Sequence, residues 1–295
     1  MTVGQFFLDV AKIIGILIVV PLLGGLLTGV DRKISARMQR RKGPPILQPF
    51  YDVMKLFQKE ALTVNRLTRF YITFSLFFTA FTTVLLFMGA DLMLIIFALT
   101  LTSIFFVIAG YSASSPFSLV GAERELLQII SYEPMVLITG VGFYYAQKTF
   151  QVADIMHSST PSIVYLPLVF LGFVYIMTFK LRKSPFDLSF SEHGHQEIVK
   201  GLTTELTGVC LGMVEIMHWL ETMFVLALVF LFFASSAWYT DVIGVVVCAI
   251  VYFLEILIDN SFARVKWQKA FTVSWIVTAI AGFVNLGVLS LFYLA

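Results

Sequence analysis

Apolar stretches of about 20 residues, the length an α-helix needs to cross the hydrocarbon of a bilayer, recur from one end of this 295-residue chain to the other. They leave few choices of fold. With no water to bond exposed backbone groups, only helices and closed barrels span a membrane, and the short alternating strands of a barrel are absent from the sequence. Composition agrees, because 59% of residues are hydrophobic and 13% are charged, which is too apolar for a soluble domain of this length. The chain therefore reads as an all-α membrane protein, one polytopic domain over residues 1–295. It has about eight transmembrane helices, at about 4–30, 70–90, 92–110, 126–147, 162–179, 203–235, 241–259 and 270–293. The sixth is long enough to tilt, break or extend beyond the bilayer, and Gly208 and Gly212 near its start favour close packing.

Lys and Arg are retained on the cytoplasmic side of a membrane, so their distribution predicts orientation. Ten lie in the loop after the first span, from Arg32 to Arg69; Arg124, Lys180, Arg182, Lys183, Lys200, Arg264, Lys266 and Lys269 fall in the following even-numbered loops. Only Lys12, inside span one, and Lys148, after span four, depart from this pattern. Both termini are therefore expected outside. The first apolar run has no basic region before it and is long enough to remain as a span, so a cleavable signal peptide is not expected. Cys210 and Cys248 lie in spans six and seven without CxxC or Cys/His ligand spacing, and nucleotide-binding glycine loops are absent. The chain is thus expected to hold no redox centre, no metal and no nucleotide.

Two groups of residues then carry the functional argument. In the first loop, Ile46, Phe50, Val53, Met54, Phe57 and Ala61 recur at helical spacing, with Asp52, Lys55, Gln58 and Lys59 elsewhere, which predicts an amphipathic helix lying at the interface. The basic stretch before it, 31–42, suits either lipid headgroups or a docked soluble partner. Inside the spans, Glu133, Glu205, Glu215, His218, Glu221 and Glu255 are costly, at about 2.5–3.5 kcal/mol for an ionised residue at the bilayer centre. Burial favours the neutral form of carboxyl and imidazole groups, and groups near neutrality pass protons along a hydrogen-bonded chain. In a continuous sixth helix, Glu205 to Glu221 would extend roughly 24 Å, a ladder suited to a proton relay. The other reading is static pairing with Lys12, with rim arginines or with hydroxyls of neighbouring spans, and for Glu221 and Asp259, close to span ends, both readings stand. Trp219, Trp238 and Trp267 read as interface anchors.

Three ordered blocks carry a resemblance that physical reasoning alone does not supply. They are Asp31-Arg32-Lys33 with Gln39-Arg40-Arg41-Lys42-Gly43-Pro44, Leu47-Gln48-Pro49, Asp52, Lys55-Leu56 and Lys59-Glu60; Gly121-Ala122, Arg124, Gln128 and Ile130-Ser131-Tyr132-Glu133; and Ser184-Pro185-Phe186-Asp187-Leu188 with Glu197, Gly201, Glu205 and Gly208. Together they resemble the complex I subunit 1 family, which includes quinone-reducing complex I and the membrane subunit of energy-converting (Ech-type, group 4) [NiFe] hydrogenases. Several departures resemble the hydrogenase branch. The chain is several residues shorter between Gly43-Pro44 and Leu47-Gln48 than the quinone pattern. Lys180 and Lys183 stand where that branch has an acid and an arginine, and the run His193-Gly194-His195-Gln196-Glu197 replaces its acids.

The resemblance implies a coupling subunit without metals of its own, in the cytoplasmic membrane of a prokaryote. Its loops, with Arg32, Arg40, Arg41, Lys42, Arg124, Asp187, His193, His195 and Glu197, would dock a [NiFe] large subunit and an iron–sulfur small subunit, and its flank an antiporter-like membrane subunit. Electrons from reduced ferredoxin, or from formate or carbon monoxide oxidation, would reduce protons at the partner's nickel–iron centre and drive H⁺ or Na⁺ outward. A quinone-site subunit of a complex I-like oxidoreductase and a stand-alone ion transporter are the alternatives; the latter often carries an inverted repeat, which the two halves do not show.

Overall fold

A computed structural model describes residues 3–60, 65–189 and 200–294. Within them the chain forms helices α1 (Val3–Met38), α2 (Gln48–Gln58), α3 (Arg66–Phe87), α4 (Leu92–Ser112), α5 (Pro116–Gln147), a short α6 (Val152–Met156), α7 (Pro167–Lys180), α8 (Gly208–Leu231), α9 (Trp238–Ser261), α10 (Trp267–Val277) and α11 (Val284–Leu294), with no strand among the described residues. Seven of these helical stretches are long and apolar enough to cross a membrane, counting α10 and α11 as one rod continued through the π-helical turn Thr278–Phe283. The remaining predicted span, the fifth at about 162–179, is the shorter α7.

Sequence chemistry sets the helix starts. Asn65 caps α3 by accepting from the Leu67 amide, and Asp91 caps α4 by accepting from the Met93 and Leu94 amides. Pro116 begins α5, where a missing N–H costs nothing. Gly89, at φ 78°, makes the turn between α3 and α4. Those two helices pack through small hydroxylated residues, as helices in lipid commonly do. The Thr79 and Thr83 hydroxyls donate to carbonyls one turn back, and Ser75 Oγ donates across to the Thr102 carbonyl at 2.9 Å.

Helix α7 has 14 residues and rises roughly 21 Å, less than the ~30 Å hydrocarbon thickness. Its first amides need partners inside the protein. Asn285 on α11 supplies one: its Oδ1 accepts from the Leu168 amide at 3.0 Å and lies 3.3 Å from that of Val169, and its Nδ2 donates to the Tyr165 carbonyl.

The bundle has two chemically distinct ends. At one, the turn after α4 and the segments 31–60, 181–189, 200–208 and 259–265 meet: Asn65 donates to the Ser112 carbonyl, Lys183 pairs with Asp31, Asn260 donates to Ser35, and Arg264 pairs with Asp187. At the other, the α3–α4 turn meets 150–153 and residue 158 meets 236. Most of the basic residues therefore gather at one end. Helices α4, α5, α7 and α8 hold the core, around Phe106, Met135, Phe143, Phe173, Phe224 and Phe232. α1 is peripheral, with most of its apolar side chains exposed.

Helix boundaries depart from the sequence reading at three functional places. α1 continues to Met38, so Arg32, Lys33 and Arg37 ride on a helix rather than a loop. α5 starts ten residues before the expected span, at Pro116, so Arg124 lies on a helix and Glu125 is brought inside. α8 starts at Gly208, at φ 53°, which leaves Glu205 in the turn ahead of it. The expected continuous ladder from Glu205 to Glu221 is therefore broken at Gly208. A Cβ on Gly208 would meet the Glu60 carbonyl oxygen at 2.9 Å, so the end of α2 presses on this turn. α2 is amphipathic as expected, with Phe50 edge-to-face against Trp219 of α8. Trp219 is therefore buried under α2 rather than at a headgroup boundary, whereas Trp238 and Trp267 are exposed.

Candidate functional site

Between α7 and α8 the chain leaves the core through Lys180-Leu181-Arg182-Lys183, and two of these cations turn inward. Arg182 adopts the left-handed region at φ 52°, a costly conformation for a non-glycine residue that persists when its surroundings enforce it. The enforcing groups are carboxylates. Arg182 Nη2 donates to Glu125 Oε1 at 2.7 Å and Nη1 to Glu221 Oε2 at 2.8 Å, while Lys180 Nζ lies 3.0 Å from Glu221 Oε1. All four side chains are at most 5% exposed. Burial by itself opposes the charge on Arg182, but Glu125 and then Glu221 offset this and raise its pKa above the ordinary arginine value. Arg182 is thus a permanent cation.

Two cations and two anions balance in this quartet, which satisfies the rule that buried charges be paired. Polar neighbours extend it in two directions. Lys180 Nζ donates to Ser103 Oγ at 3.1 Å and to the Tyr132 hydroxyl at 3.3 Å, and the Tyr132 hydroxyl is itself 3.1 Å from Ser103. His218 Nδ1 lies 3.0 Å from Arg182 Nη1 and 3.3 Å from Glu221 Oε2. His218, one helical turn before Glu221, faces a cavity of about 100 Å³ lined also by Asp31, Lys183, Asp187, Glu215 and Asp259. That space is large enough for a few waters, and its polar lining offers them hydrogen-bond partners. It lies below the ~300–1,000 Å³ typical of small-molecule pockets.

The cavity wall is completed by a second set of ion pairs at the basic end. Lys183 pairs with Asp31 of α1 at 2.6 Å, Arg264 Nε with Asp187 at 2.8 Å, and the Ser184 amide donates to Asp259 at 2.8 Å. Glu255 is buried on α9, one turn from Asp259. Glu133 stands on α5 next to Tyr132, half-buried, and accepts from Thr100.

The expected relay residues thus divide. The structure brings Glu215, His218 and Glu221 to one cavity, places Glu255 in the adjoining helix, sets Glu133 against Thr100 of α4 outside the cavity lining, and leaves Glu205 in the turn before α8. Sequence reasoning misses three members of the quartet: Glu125 precedes the expected span, and Lys180 and Arg182 read as loop charges. The signal available is that acids and bases occur in like numbers within and just before two of the motif blocks, over 122–133 and 180–187. Of the docking residues, Arg40, Arg41 and Lys42 are exposed, Arg32 pairs with Asp52 of α2 at 2.6 Å, Arg124 is half-buried and Asp187 is buried against Arg264. His193, His195 and Glu197 lie outside the described residues.

The sequence pattern of the family described as NADH dehydrogenase matches residues 11–290. The chain belongs to this family, in its complex I subunit 1 type. Family relatives come from two kinds of complex. Hydrogenase-4 component C of Escherichia coli is 31% identical over 215 residues, 67% of each chain. Formate hydrogenlyase subunit 4 of the same organism is 26% identical over 282 residues, covering 85% of this chain and 89% of the relative. NADH-ubiquinone oxidoreductase chain 1 of Paracentrotus lividus is 31% identical over 231 residues, covering 69% of this chain and 68% of the relative. The fold is shared with a chain from the structure of the membrane-bound sulfane sulfur reductase, an archaeal respiratory membrane complex, at a TM-score of 0.80 and 24% identity over 96% of this chain and 100% of that one. This NADH dehydrogenase family member is an integral membrane subunit of an oxidoreductase complex, and its buried quartet lies where two of the motif blocks meet.

Proposed function

We propose that the chain is the membrane-anchoring and coupling subunit of an energy-converting [NiFe] hydrogenase. The observation that carries this reading is the water-sized cavity at the basic end, which runs from Glu215 and His218 to the buried Glu221. A space of about 100 Å³ suits water and protons better than a quinone headgroup. The relatives named for hydrogenase-4 and formate hydrogenlyase and the shortened first loop support the same choice.

In this reading the basic end faces the cytoplasm and both termini face outside. The exposed Arg40, Arg41 and Lys42 and the segment 190–199 bind a [NiFe] large subunit and an iron–sulfur small subunit, which hold all the metal. An antiporter-like membrane subunit lies against the flank. Proton reduction in the docked subunits changes the charge at the cavity mouth. Glu215 and His218 answer by exchanging protons through the cavity water, and Arg182 and Lys180 fix the potential that Glu221 feels. Glu133, beyond Tyr132 and Lys180, receives the bias on the membrane-arm side, and H⁺ or Na⁺ leaves outward.

The test uses the complex purified in mild detergent. Stoichiometric nickel and several irons per complex are expected; a nickel-free complex that reduces quinone overturns the hydrogenase assignment. In proteoliposomes, Glu215→Gln is expected to spare hydrogen evolution from reduced viologen while abolishing the ion gradient. A full gradient in that variant and in His218→Asn overturns the coupling role.

A further inference from the structure

Lys12 and Asp9 do not belong in a lipid-facing stretch of α1. Their side chains are 64% and 34% exposed, with Nζ and Oδ1 3.4 Å apart one turn from each other, while Phe6, Phe7, Leu8, Ile14 and Leu17 around them face outward. A charged pair amid apolar outward side chains marks the level at which α1 reaches the polar headgroups.

Two concavities meet at Lys12. One is an open hollow walled by Gln5, Leu8, Asp9 and Lys12. The other is an apolar groove of about 390 Å³ running from Lys12 past Gly15, Val19 and Leu23 of α1, against Phe87 and Met88 at the end of α3 and Met223 of α8. From Lys12 to Leu23 the helix rises roughly 16 Å, half of the ~30 Å hydrocarbon thickness and so the depth of one leaflet. Gly15 borders this open space, since a Cβ there would meet nothing within 4 Å.

We propose that this is a built site for one phospholipid with a zwitterionic phosphoethanolamine headgroup. One acyl chain lies in the groove, the phosphate on the Lys12 ammonium and the lipid's ammonium on the Asp9 carboxylate. A purely anionic headgroup satisfies Lys12 but meets Asp9 with like charge, and a partner's apolar helix satisfies neither. The headgroup end of the site, at Lys12 and beside the α3–α4 turn, lies away from the basic end, and its occupancy does not depend on the hydrogenase reading. The lipid fills the seam between α1 and the α3 and α8 helices, where α1 is otherwise poorly packed.

Native mass spectrometry of the whole complex, extracted from cells in mild detergent and then exchanged into discs of phosphatidylethanolamine or of phosphatidylglycerol, tests this. The wild-type complex is expected to retain one more phosphoethanolamine lipid than the Gly15→Phe variant, whose side chain enters the groove without displacing backbone. Lys12→Leu is expected to lower retention at least tenfold. A photoactivatable phenylalanine analogue in place of Val19 is expected to form a lipid adduct. Equal lipid counts in wild type and both variants, equal retention of phosphatidylglycerol, or a Val19-position adduct to another subunit each overturns the proposal.

Discussion

Neutralising Glu125 tests whether the quartet is a balanced charge cluster or a set of independent contacts. Glu125→Gln keeps size and an acceptor oxygen but leaves Arg182 and Lys180 facing Glu221 alone. The contacts that define the cluster are 2.7 to 3.0 Å long. At an effective dielectric of about 20, unit charges about 3 Å apart attract by ~5 kcal/mol, and breaking a buried pair from one side typically costs about 3–5 kcal/mol. We expect a loss in that range for Glu125→Gln and for Arg182→Gln taken singly. The double variant restores balance, with Lys180 and Glu221 remaining as one cation and one anion. It is therefore expected to lose little more than either single variant, a coupling of about 2–3 kcal/mol, at the upper end of measured pair couplings. Unfolding in mixed detergent–SDS micelles followed by circular dichroism measures all three. Single losses that add to within about 0.5 kcal/mol of the double, the behaviour of independent sites, would refute the reasoning.

The remaining predictions concern the framework around the site. Asn285→Leu strips the Leu168 amide of its acceptor inside the bundle and is expected to cost about 1–3 kcal/mol; the same unfolding assay reads it, and an unchanged midpoint refutes the capping role. Gly208→Ala combines a left-handed backbone, worth roughly 1–2 kcal/mol, with a Cβ 2.9 Å from the Glu60 carbonyl oxygen, so a melting temperature equal to wild type counts against the close approach. Arg264→Gln leaves the buried Asp187 without its cation and is expected to cost about 1.5–3 kcal/mol. Recovery in the double variant with Asp187→Asn identifies the cause as unpaired charge.

The fold class was legible because lipid imposes one requirement, an apolar run of fixed length, and the sequence meets it repeatedly. The amphipathic α2 was legible for the same reason, since a single helical period separates Phe50, Val53 and Phe57 from Asp52 and Lys55. The site was only partly legible. Glu221 and His218 announced themselves by being ionisable groups inside an apolar run. Lys180 and Arg182 did not, because a cation at the end of a span reads as a rim residue. Glu125 did not either, because α5 begins ten residues before its apolar stretch does.

The length of the apolar runs and the charge asymmetry along the chain determined that these residues form membrane helices and which ends collect the bases. Both are local properties that survive whatever the helices later pack against. Pairing of Arg182 with two acids on different helices, interruption of the Glu205–Glu221 ladder at Gly208, and withdrawal of Trp219 beneath α2 were decided by tertiary structure alone. Each depends on contacts between segments tens of residues apart, where desolvation forces buried charges and amides to find partners that no nearby residue offers.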